Sequence, residues 1–433
     1  MPFDHPDVLT LGGARQGSGS ASYLAEPGTF TRCLMLFSGG LDTSVLAHWI
    51  RDAYDCEVFT FTLDIGQQED FNALERKAYA LGATRHFLVD ARQEFLEDFC
   101  WRAIKANATV GKYGHPISSS LTRPLMVRHA IEIAAREGIT VIAHGASGKS
   151  NDSLRMDTAA LTLNPEIRIL APVREFSITR EAELEYVRRH GISVTATPEK
   201  SFSIDDNLWA RETEAGLLLQ TEIPAPDAAF SLVPPADMTR ADPETVQIDF
   251  VEGVPVGLNG EELKPLQLVE TLNMLGAAHG VGRFDFMEDR GVGVKVRELH
   301  EAPAAEILLR AHLDLQELTS TKEELRFART AELEWVEAAL HGYWYTPFVR
   351  ALNMYFDESQ KRLTGSATVL LHRDKATVVA RRSPYALDLT NLVAQGFFPG
   401  VNERATAPFI EVAGLQRRAS QWMASRAQQS TPS

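Results

Sequence analysis

The segment of this chain with the most chemistry is Ser38-Gly39-Gly40-Leu41-Asp42-Thr43-Ser44. An apolar run, 34–37, precedes it, and an apolar-periodic segment follows it. Two glycines let a backbone turn tightly and approach an anion, while hydroxyls add donors and a following helix points its free N–H groups at the same place. The sequence therefore predicts a phosphate-binding loop between a strand and a helix, with an ordinary structural turn as the alternative.

The loop distinguishes between two kinds of nucleotide site. It lacks the Gly-Lys-Ser/Thr ending of a nucleotide-hydrolysing P-loop. It resembles the pyrophosphate-binding loop of the N-type ATP pyrophosphatases, which cleave ATP between the α and β phosphates. That resemblance implies ATP. Because Asp42 would meet a phosphate only through a cation, it also implies Mg²⁺ bound with ATP and no direct protein metal site.

A second polar cluster follows a predicted strand and runs from His144 to Arg155. Gly148-Lys149-Ser150 looks like the end of a P-loop, but position 143 is alanine where that motif requires glycine. Lys149, Asn151 and Asp152 instead suit a site that binds a polar ligand. A solvated turn is the alternative.

Two further segments carry weaker signals. Ser118-Ser119-Ser120 precedes a helical pattern, so its hydroxyls are either helix caps or ligand donors, and Arg123 is placed to meet an anion. Asp64-Ile65-Gly66-Gln67 closes a predicted strand. Its residues are either caps of the next helix or part of the site, with Leu63 as a candidate shelf for adenine.

Alternating strands and helices must position these segments. The predicted strands are 33–37, 57–64, 85–89, 139–144 and 167–170, and the predicted helices are 42–51, 71–81, 94–105, 123–137 and 180–190. Such alternation predicts an α/β fold with a parallel sheet covered by helices. Ligands gather at the carboxyl ends of such strands, where Ser38, Asp64 and His144 all lie.

After position 197 the pattern changes to short strands and longer helices. Strands are predicted at 246–251, 254–258, 367–371 and 376–380, and helices at 265–278 and between 304 and 355. We expect a flexible extension at 1–31, a nucleotide-binding domain at 32–195, an α+β domain at 196–405, and a C-terminal helix and tail at 406–433. The last segment either reaches a neighbouring subunit or packs on its own domain.

Composition narrows the function classes. A net charge of −15 disfavours nucleic acid as a partner, because phosphate backbones require a basic surface. The three cysteines have no metal-binding spacing, which indicates a reducing compartment. No apolar run reaches the length of a membrane span and no export signal precedes the first strand. We therefore expect a cytoplasmic enzyme with small-molecule substrates.

Taken together, these segments resemble the argininosuccinate synthase family. The loop 38–44 is complete, Ile65-Gly66-Gln67 matches a second family segment, and 144–152 with Arg155 matches a third. Segments 201–208, 279–290 and 342–345 resemble the family's synthetase domain, and the likeness runs from about Arg32 to Arg418. It implies an adenine nucleotide alpha hydrolase-like domain followed by a synthetase domain, and a homo-oligomer, by family likeness a tetramer.

The resemblance also implies ligand roles. ATP would lie on Leu36, Phe37, Ser38, Gly39, Gly40, Leu41, Asp42, Thr43, Ser44, Leu63 and Gly145, aspartate on Ser147, Asn151 and Asp152, and a citrulline-like acceptor on His115, Ser120, Asn151, Arg155, Ser203, Glu212, Glu288 and His300. Asp42, Arg123 and Lys149 would be catalytic. The chemistry would be adenylation of the acceptor's ureido oxygen and displacement of AMP by the aspartate amine.

Three acceptor positions depart from the family pattern. His115 and His300 stand where the family has tyrosines, and Glu212 aligns with a family serine, whereas the aspartate positions change only from threonine to serine at Ser147. Histidine could keep the hydrogen bond of a tyrosine, the alignment could slip near Glu212, and relaxed selection could also change these contacts. We hypothesise that aspartate remains the nitrogen donor, with citrulline or another ureido or amide compound as acceptor.

The sequence therefore predicts an argininosuccinate synthase-type ligase. One alternative is a ligase of the same loop group fed with ammonia by a glutaminase partner. The other is a nucleotide-binding paralogue without turnover, against which the intact Asp42, Arg123 and Lys149 argue.

Overall fold

The computed structural model describes residues 21–112, 114–194, 202–291, 293–397 and 402–429. Residues 1–20 of the predicted extension, the predicted boundary at 195/196, Ser201 and residues 430–433 of the predicted tail lie outside these ranges. The chain divides into two units, Met1–Tyr385 and Ala386–Ser433. All candidate site residues belong to the first.

A five-stranded parallel sheet carries the first predicted site. Its order is β3-β2-β1-β6-β7, so the chain turns to opposite sides of the central strand β1. Nearly all side chains of β1 and β2 are buried, on both faces of the sheet. This is the pattern of a parallel sheet that helices cover on both sides. The strands are Arg32–Leu36 (β1), Glu57–Asp64 (β2), Arg85–Asp90 (β3), Val141–Ala143 (β6) and Arg168–Leu170 (β7), and a small hairpin joins Thr109–Val110 (β4) to His115–Pro116 (β5).

Helices connect these strands and bring their N-termini to the carboxyl edge of the sheet. A π-helical turn, Phe95–Cys100, separates α3 from α4. The helices are Leu41–Tyr54 (α1), Phe71–Ala80 (α2), Arg92–Glu94 (α3), Trp101–Lys105 (α4), Ser119–Glu137 (α5), Asn151–Leu163 (α6), Pro172–Phe176 (α7) and Arg180–His190 (α8).

The second half of the first unit contains two antiparallel sheets. One has the order β12-β11-β10-β15-β16, and the other has the order β13-β14-β9-β8. The elements are Ser203–Asp206 (β8), Arg211–Glu214 (β9), Glu244–Val251 (β10), Val254–Leu258 (β11), Glu261–Glu262 (β12), Pro265–Ala278 (α9), Arg283–Asp289 (β13), Lys295–Glu301 (β14), Pro303–Thr319 (α10), Lys322–Leu340 (α11), Pro347–Ser359 (α12), Gly365–His372 (β15) and Lys375–Arg382 (β16).

The second unit is helical over its described residues. Its helices are Leu389–Ala394 (α13), Thr406–Ala413 (α14) and Leu415–Gln429 (α15). The predicted single C-terminal helix is thus a pair of helices. Across the described parts of the chain, no helix is long and apolar enough to span a bilayer.

The predicted α/β class is confirmed, and the structure adds three local features that the sequence pattern did not predict. Helix α5 begins at Ser119 and not at 123, and it continues through Pro124, which lies inside the helix and has no N–H to donate. The predicted helix 94–105 is interrupted by the π-helical turn. The strands of the sheet β13-β14-β9-β8 were not predicted at all, since their inward side chains are largely charged.

Part of the predicted extension packs against the parallel sheet. Leu24 forms a parallel bridge with Ile169, and the Ala25 amide donates to the Ile169 carbonyl at 2.8 Å. Ala25 and Phe30 are buried. The chain is therefore tied to the edge strand β7 before β1 begins.

Candidate active site

The predicted phosphate loop lies at the carboxyl end of β1, where the strand order reverses. Gly39 has a left-handed φ of +70°, and a Cβ atom there would lie 2.2 Å from Leu74 Cδ1. Glycine is therefore required at this turn. Helix α1 begins after Gly40, which has no side chain to cap it, so the first-turn N–H groups can face an anion.

The hydroxyls of the loop divide into two groups. Ser38 Oγ lies 3.1 Å from Thr43 Oγ1 in an exposed position. Ser44 is buried, and its hydroxyl donates to the carbonyls of Gly40 at 2.6 Å and Gly39 at 3.1 Å. Ser38 and Thr43 are thus open to a ligand, whereas Ser44 holds the loop in shape.

A lysine that sequence reasoning missed supports the loop from helix α2. Lys77 Nζ donates to the Gly39 carbonyl, and partial burial lowers its pKa. Lys77 follows Leu74 by three residues, so both lie on the helix face that packs on the loop. That spacing from an apolar residue is the signal that could have found it.

Asp42 has a carboxyl neighbour on helix α8. Glu183 lies close to Asp42, and burial, followed by the charge of Asp42, raises the pKa of Glu183 to about 9. Glu183 is 3% exposed, and its Oε1 atom has no hydrogen-bond partner among the described residues. Two facing carboxyl groups with an unsatisfied buried oxygen are a donor set that suits a hard cation.

The loop after β6 comes close to the phosphate loop. A Cβ atom on Gly145 would lie 3.4 Å from Asp42 Cβ and 3.6 Å from Thr43 Cγ2. Ser147 is half-buried beside it, and the side chain of Lys149 is exposed. The structure therefore brings the first and second predicted segments together.

Several residues predicted to contact ATP are buried in the core of the fold. The side chains of Leu36, Phe37, Leu41 and Leu63 are all buried. The Leu63 carbonyl accepts from Gln67 Nε2 at 2.7 Å. These residues shape the backbone beside the ligand rather than offering open side chains.

Helix α6 begins at the edge between the two halves of the first unit. Ser150 caps it through the Asp152 amide, at 3.1 Å. Asn151 Nδ2 donates to Glu288 Oε1 at 3.1 Å, and Asn151 Oδ1 accepts from the Gly291 amide at 2.9 Å. The start of α6 is therefore fastened to strand β13 and the turn after it.

Two arginines, Arg123 and Arg155, lie at the same edge between the two halves of the first unit. Arg123 Nε donates to Asp152 Oδ2 at 2.9 Å, and its Nη2 also binds Asp205. Burial alone would lower the pKa of Arg123, but the two carboxylates outweigh it and raise the pKa. Arg155 is buried and donates from Nη1 to Ser119 Oγ at 2.7 Å and to Asp152 Oδ1 at 3.1 Å. Both guanidinium groups are held in place before any ligand arrives.

The sheet β13-β14-β9-β8 collects four predicted acceptor residues on one face. His300 is the cross-strand neighbour of Glu212, and Glu212 is the neighbour of Asp205. Because side chains alternate along a strand, Ser203, Glu212, Glu288 and His300 all point to the same side. The Ser119 amide of α5 donates to Glu212 Oε1 at 3.0 Å, so this face meets the helices of the first half.

Three rings, which we call the ring cluster, lie on that face: His115, Phe286 and His300. His115 stacks on Phe286 with ring centroids 3.5 Å apart, and His300 stands perpendicular to both, at 5.4 and 4.8 Å. Burial, with a smaller contribution from His300, lowers the pKa of His115 to about 3. His115 is therefore a neutral ring at physiological pH.

Two residues of this face were missed by sequence reasoning. Glu298 lies between Glu288 and His300. Burial raises the pKa of Glu298, and the nearby Glu288 raises it further. Arg290 donates to Glu288 Oε2 at 3.2 Å and to Glu298 Oε1 at 2.9 Å, and it also binds Glu214. Nothing in the sequence pattern pointed to this network, because its members meet only once the strands pair.

Comparisons with known proteins identify the family of this chain. A family model described as the arginosuccinate synthase N-terminal HUP domain matches residues 32–193, and one described as the arginosuccinate synthase C-terminal domain matches residues 202–420.

Curated relatives match over most of their length. The chain is 42% identical to an argininosuccinate synthase of Pyrococcus furiosus over 385 residues, 89% of this chain and 93% of the relative. It is 42% identical to one of Methanothermobacter thermautotrophicus over 366 residues, 84% and 90% of the two chains. It is 38% identical to one of Dehalococcoides mccartyi over 389 residues, 89% and 95%. The chain therefore belongs to the argininosuccinate synthase family and is a ligase that forms a carbon–nitrogen bond.

Proposed function

We propose that this chain joins citrulline to aspartate at the expense of ATP, giving argininosuccinate, AMP and diphosphate. The ureido oxygen attacks the α phosphorus and diphosphate leaves. The aspartate amine then attacks the ureido carbon, loses a proton, and AMP leaves. The observation that carries the proposal is the double anchoring of Asn151 to Glu288 and Gly291, since it joins the aspartate segment to the acceptor face.

Each half of the site supplies a different part of this reaction. The loop from Ser38 to Thr43 and the start of α1 receive the phosphates, and Lys77 stiffens the loop. Arg123 and Lys149 meet negative charge that develops on the phosphates. Asn151, Asp152 and Ser147 hold aspartate, and the acceptor lies between Arg155, Ser120 and the sheet face. Catalysis is then mainly positioning and charge stabilisation.

Mg²⁺ bound with ATP would neutralise phosphate charge and favour departure of diphosphate. The unsatisfied Oε1 of Glu183 beside Asp42 fits such a cation. Asp42 would hold it from the loop, and Glu183 from α8.

We also propose a domain division, an assembly and a location. A nucleotide-binding domain at 32–195 is followed by a synthetase domain at 196–405 and a C-terminal segment at 406–433. Phe409, Ile410 and Trp422 of the last segment are each more than half exposed, which supports a role in a homo-oligomer, with a tetramer as the expected form. The three cysteines Cys33, Cys56 and Cys100 are free, which supports a cytoplasmic location.

The test is formation of AMP and diphosphate from ATP, measured with and without aspartate and citrulline. We expect both products only when both amino acids are present, and argininosuccinate in equal amount. Glutamine-dependent AMP formation without aspartate would favour the ammonia-fed ligase. Absence of AMP with every acceptor would favour a paralogue without turnover.

A further inference from the structure

The ring cluster contains polar atoms that the folded chain leaves unsatisfied. His115 is 3% exposed and His300 is 4% exposed, yet the Nδ1 atoms of both have no hydrogen-bond partner among the described residues. The same holds for Ser120 Oγ, which is also buried. An unpaired buried polar group destabilises a folded chain. The two unpaired nitrogens of the ring cluster, together with the unpaired hydroxyl of Ser120, therefore indicate groups that a ligand can satisfy.

The ring cluster contains a hydrogen-bond acceptor beside two carboxyl groups. His115 is neutral, and a neutral imidazole ring has one nitrogen with a free lone pair. His300 Nε2 lies 3.4 Å from Glu298 Oε2 and 3.5 Å from Glu212 Oε1. The ring cluster therefore offers an acceptor, and it offers the aromatic ring of Phe286, since aromatic faces attract cations.

Negative charge is in excess around the ring cluster. Five carboxyl groups share three guanidinium groups in one connected network of ion pairs: Asp152, Asp205, Glu214, Glu288 and Glu298 with Arg123, Arg155 and Arg290. Glu212 forms no ion pair with a guanidinium group among the described residues, and its Oε1 atom lies 3.5 Å from His300 Nε2. Burial and neighbouring carboxyl groups raise the pKa of Glu212, and they raise the pKa of Glu298 in spite of its ion pair with Arg290.

A ligand can reach both carboxyl groups. The side chain of Glu212 is 14% exposed and that of Glu298 is 10% exposed. Arg155, one of the predicted acceptor residues, is already engaged by Ser119, Asp152 and the Leu340 carbonyl. The acceptor face thus offers carboxyl groups that can bind an ammonium group, and its guanidinium groups are already engaged and less able to bind a carboxylate.

We propose that Glu212, Glu298 and the ring cluster bind an ammonium group of the acceptor, and that the enzyme recognises its acceptor by this cation and not by a carboxylate. The substrate class is ureido amines, and citrulline belongs to it through its α-ammonium group. The inference rests on the proposed ligase function and adds to it the residues that determine acceptor specificity.

The experiment compares citrulline with two analogues on the wild-type enzyme, at constant ATP and aspartate, by AMP formation. One analogue lacks the carboxylate and the other lacks the amine. We expect the descarboxy analogue to match or exceed citrulline in kcat/KM. We expect the desamino analogue to lose about thirtyfold or more, because an unpaired buried charge costs about 2–5 kcal/mol.

Two variants test whether Glu212 and Glu298 bind the ammonium group. Glu212→Gln and Glu298→Gln should each lower kcat/KM for the descarboxy analogue at least tenfold with the KM for ATP unchanged. Glu261→Gln on the exposed strand β12 is the matched control. Calorimetric binding of the descarboxy analogue to each variant gives a readout independent of turnover.

The possible failures are distinguishable. No AMP with any of the three acceptors would overturn the ligase function itself. AMP formation with citrulline but not with the descarboxy analogue, or equal use of the desamino analogue, would overturn the inference and leave the ligase function intact.

Discussion

Leu74 occupies the space that a side chain at Gly39 would need, since a Cβ atom there would lie 2.2 Å from Leu74 Cδ1. The contact packs helix α2 against the phosphate loop. Lys77, one turn further along α2, binds the Gly39 carbonyl. The loop is therefore held from α2 as well as from its own helix.

Replacing Gly39 with alanine should reduce both stability and nucleotide binding. The positive φ costs about 1–2 kcal/mol, and the contact with Leu74 displaces the loop. We expect the KM for ATP to rise at least tenfold in steady-state AMP formation. Gly191→Ala is the matched control, because Gly191 has φ +64° and no atom of the described residues lies within 4 Å of its Cβ position. Equal ATP KM values for the two variants would contradict the role of the contact.

Asn151 should link the two amino-acid sites. Asn151→Ala removes the bonds to Glu288 and Gly291, and hydrogen bonds to charged groups contribute about 1.5–3 kcal/mol. We expect kcat/KM to fall tenfold or more for aspartate and for the acceptor, with little change for ATP. Asn164→Ala, at the other end of α6, is the control. A loss confined to one amino acid would show that the two sites are independent.

Glu183 should contribute to magnesium binding. Glu183→Gln keeps the shape of the side chain but cannot ionise to hold a cation, so we expect the Mg²⁺ concentration for half-maximal activity to rise severalfold. The Mg²⁺-dependent shift in Tm in the presence of a nucleotide should shrink in parallel. Glu185→Gln, two residues along α8 with an exposed side chain, should behave as wild type. Unchanged Mg²⁺ dependence in both assays would exclude Glu183 from the cation site.

The parallel sheet and its phosphate loop were predictable because their sequence signals are local. Buried strands such as β2 appear as apolar runs, and a glycine-rich segment between strand and helix marks the loop. The residues of the acceptor face, in contrast, are far apart in the sequence. In Arg211-Glu212-Thr213-Glu214 the inward residues are charged, so the usual apolar alternation of a half-buried strand is missing. The partners of Glu212 come from β8, β14 and α5, and only the assembled fold brings them together.

Stability should depend on pH through Glu212. Burial raises its pKa from an ordinary value of 4.5 to about 7, with Asp205 and Glu298 adding to the rise and His300 and the Ser119 amide opposing it. Between these values the folded chain binds more protons than the unfolded chain. The contribution of Glu212 to stability therefore falls as pH rises from about 4.5 to 7, and is constant above that range.

Glu212→Gln removes this titration, and its amide oxygen can still accept from the Ser119 amide. We expect the Tm of the variant relative to wild type to be higher at pH 8 than at pH 5, measured by calorimetry without ligand. Glu261→Gln, exposed on β12, should show a constant difference over the same range. A flat or falling difference for Glu212→Gln would mean that Glu212 is ionised in the folded chain throughout. An ammonium ligand bound at Glu212 stabilises its ionised form, so adding the descarboxy analogue should raise the Tm of the wild type more at pH 8 than at pH 5.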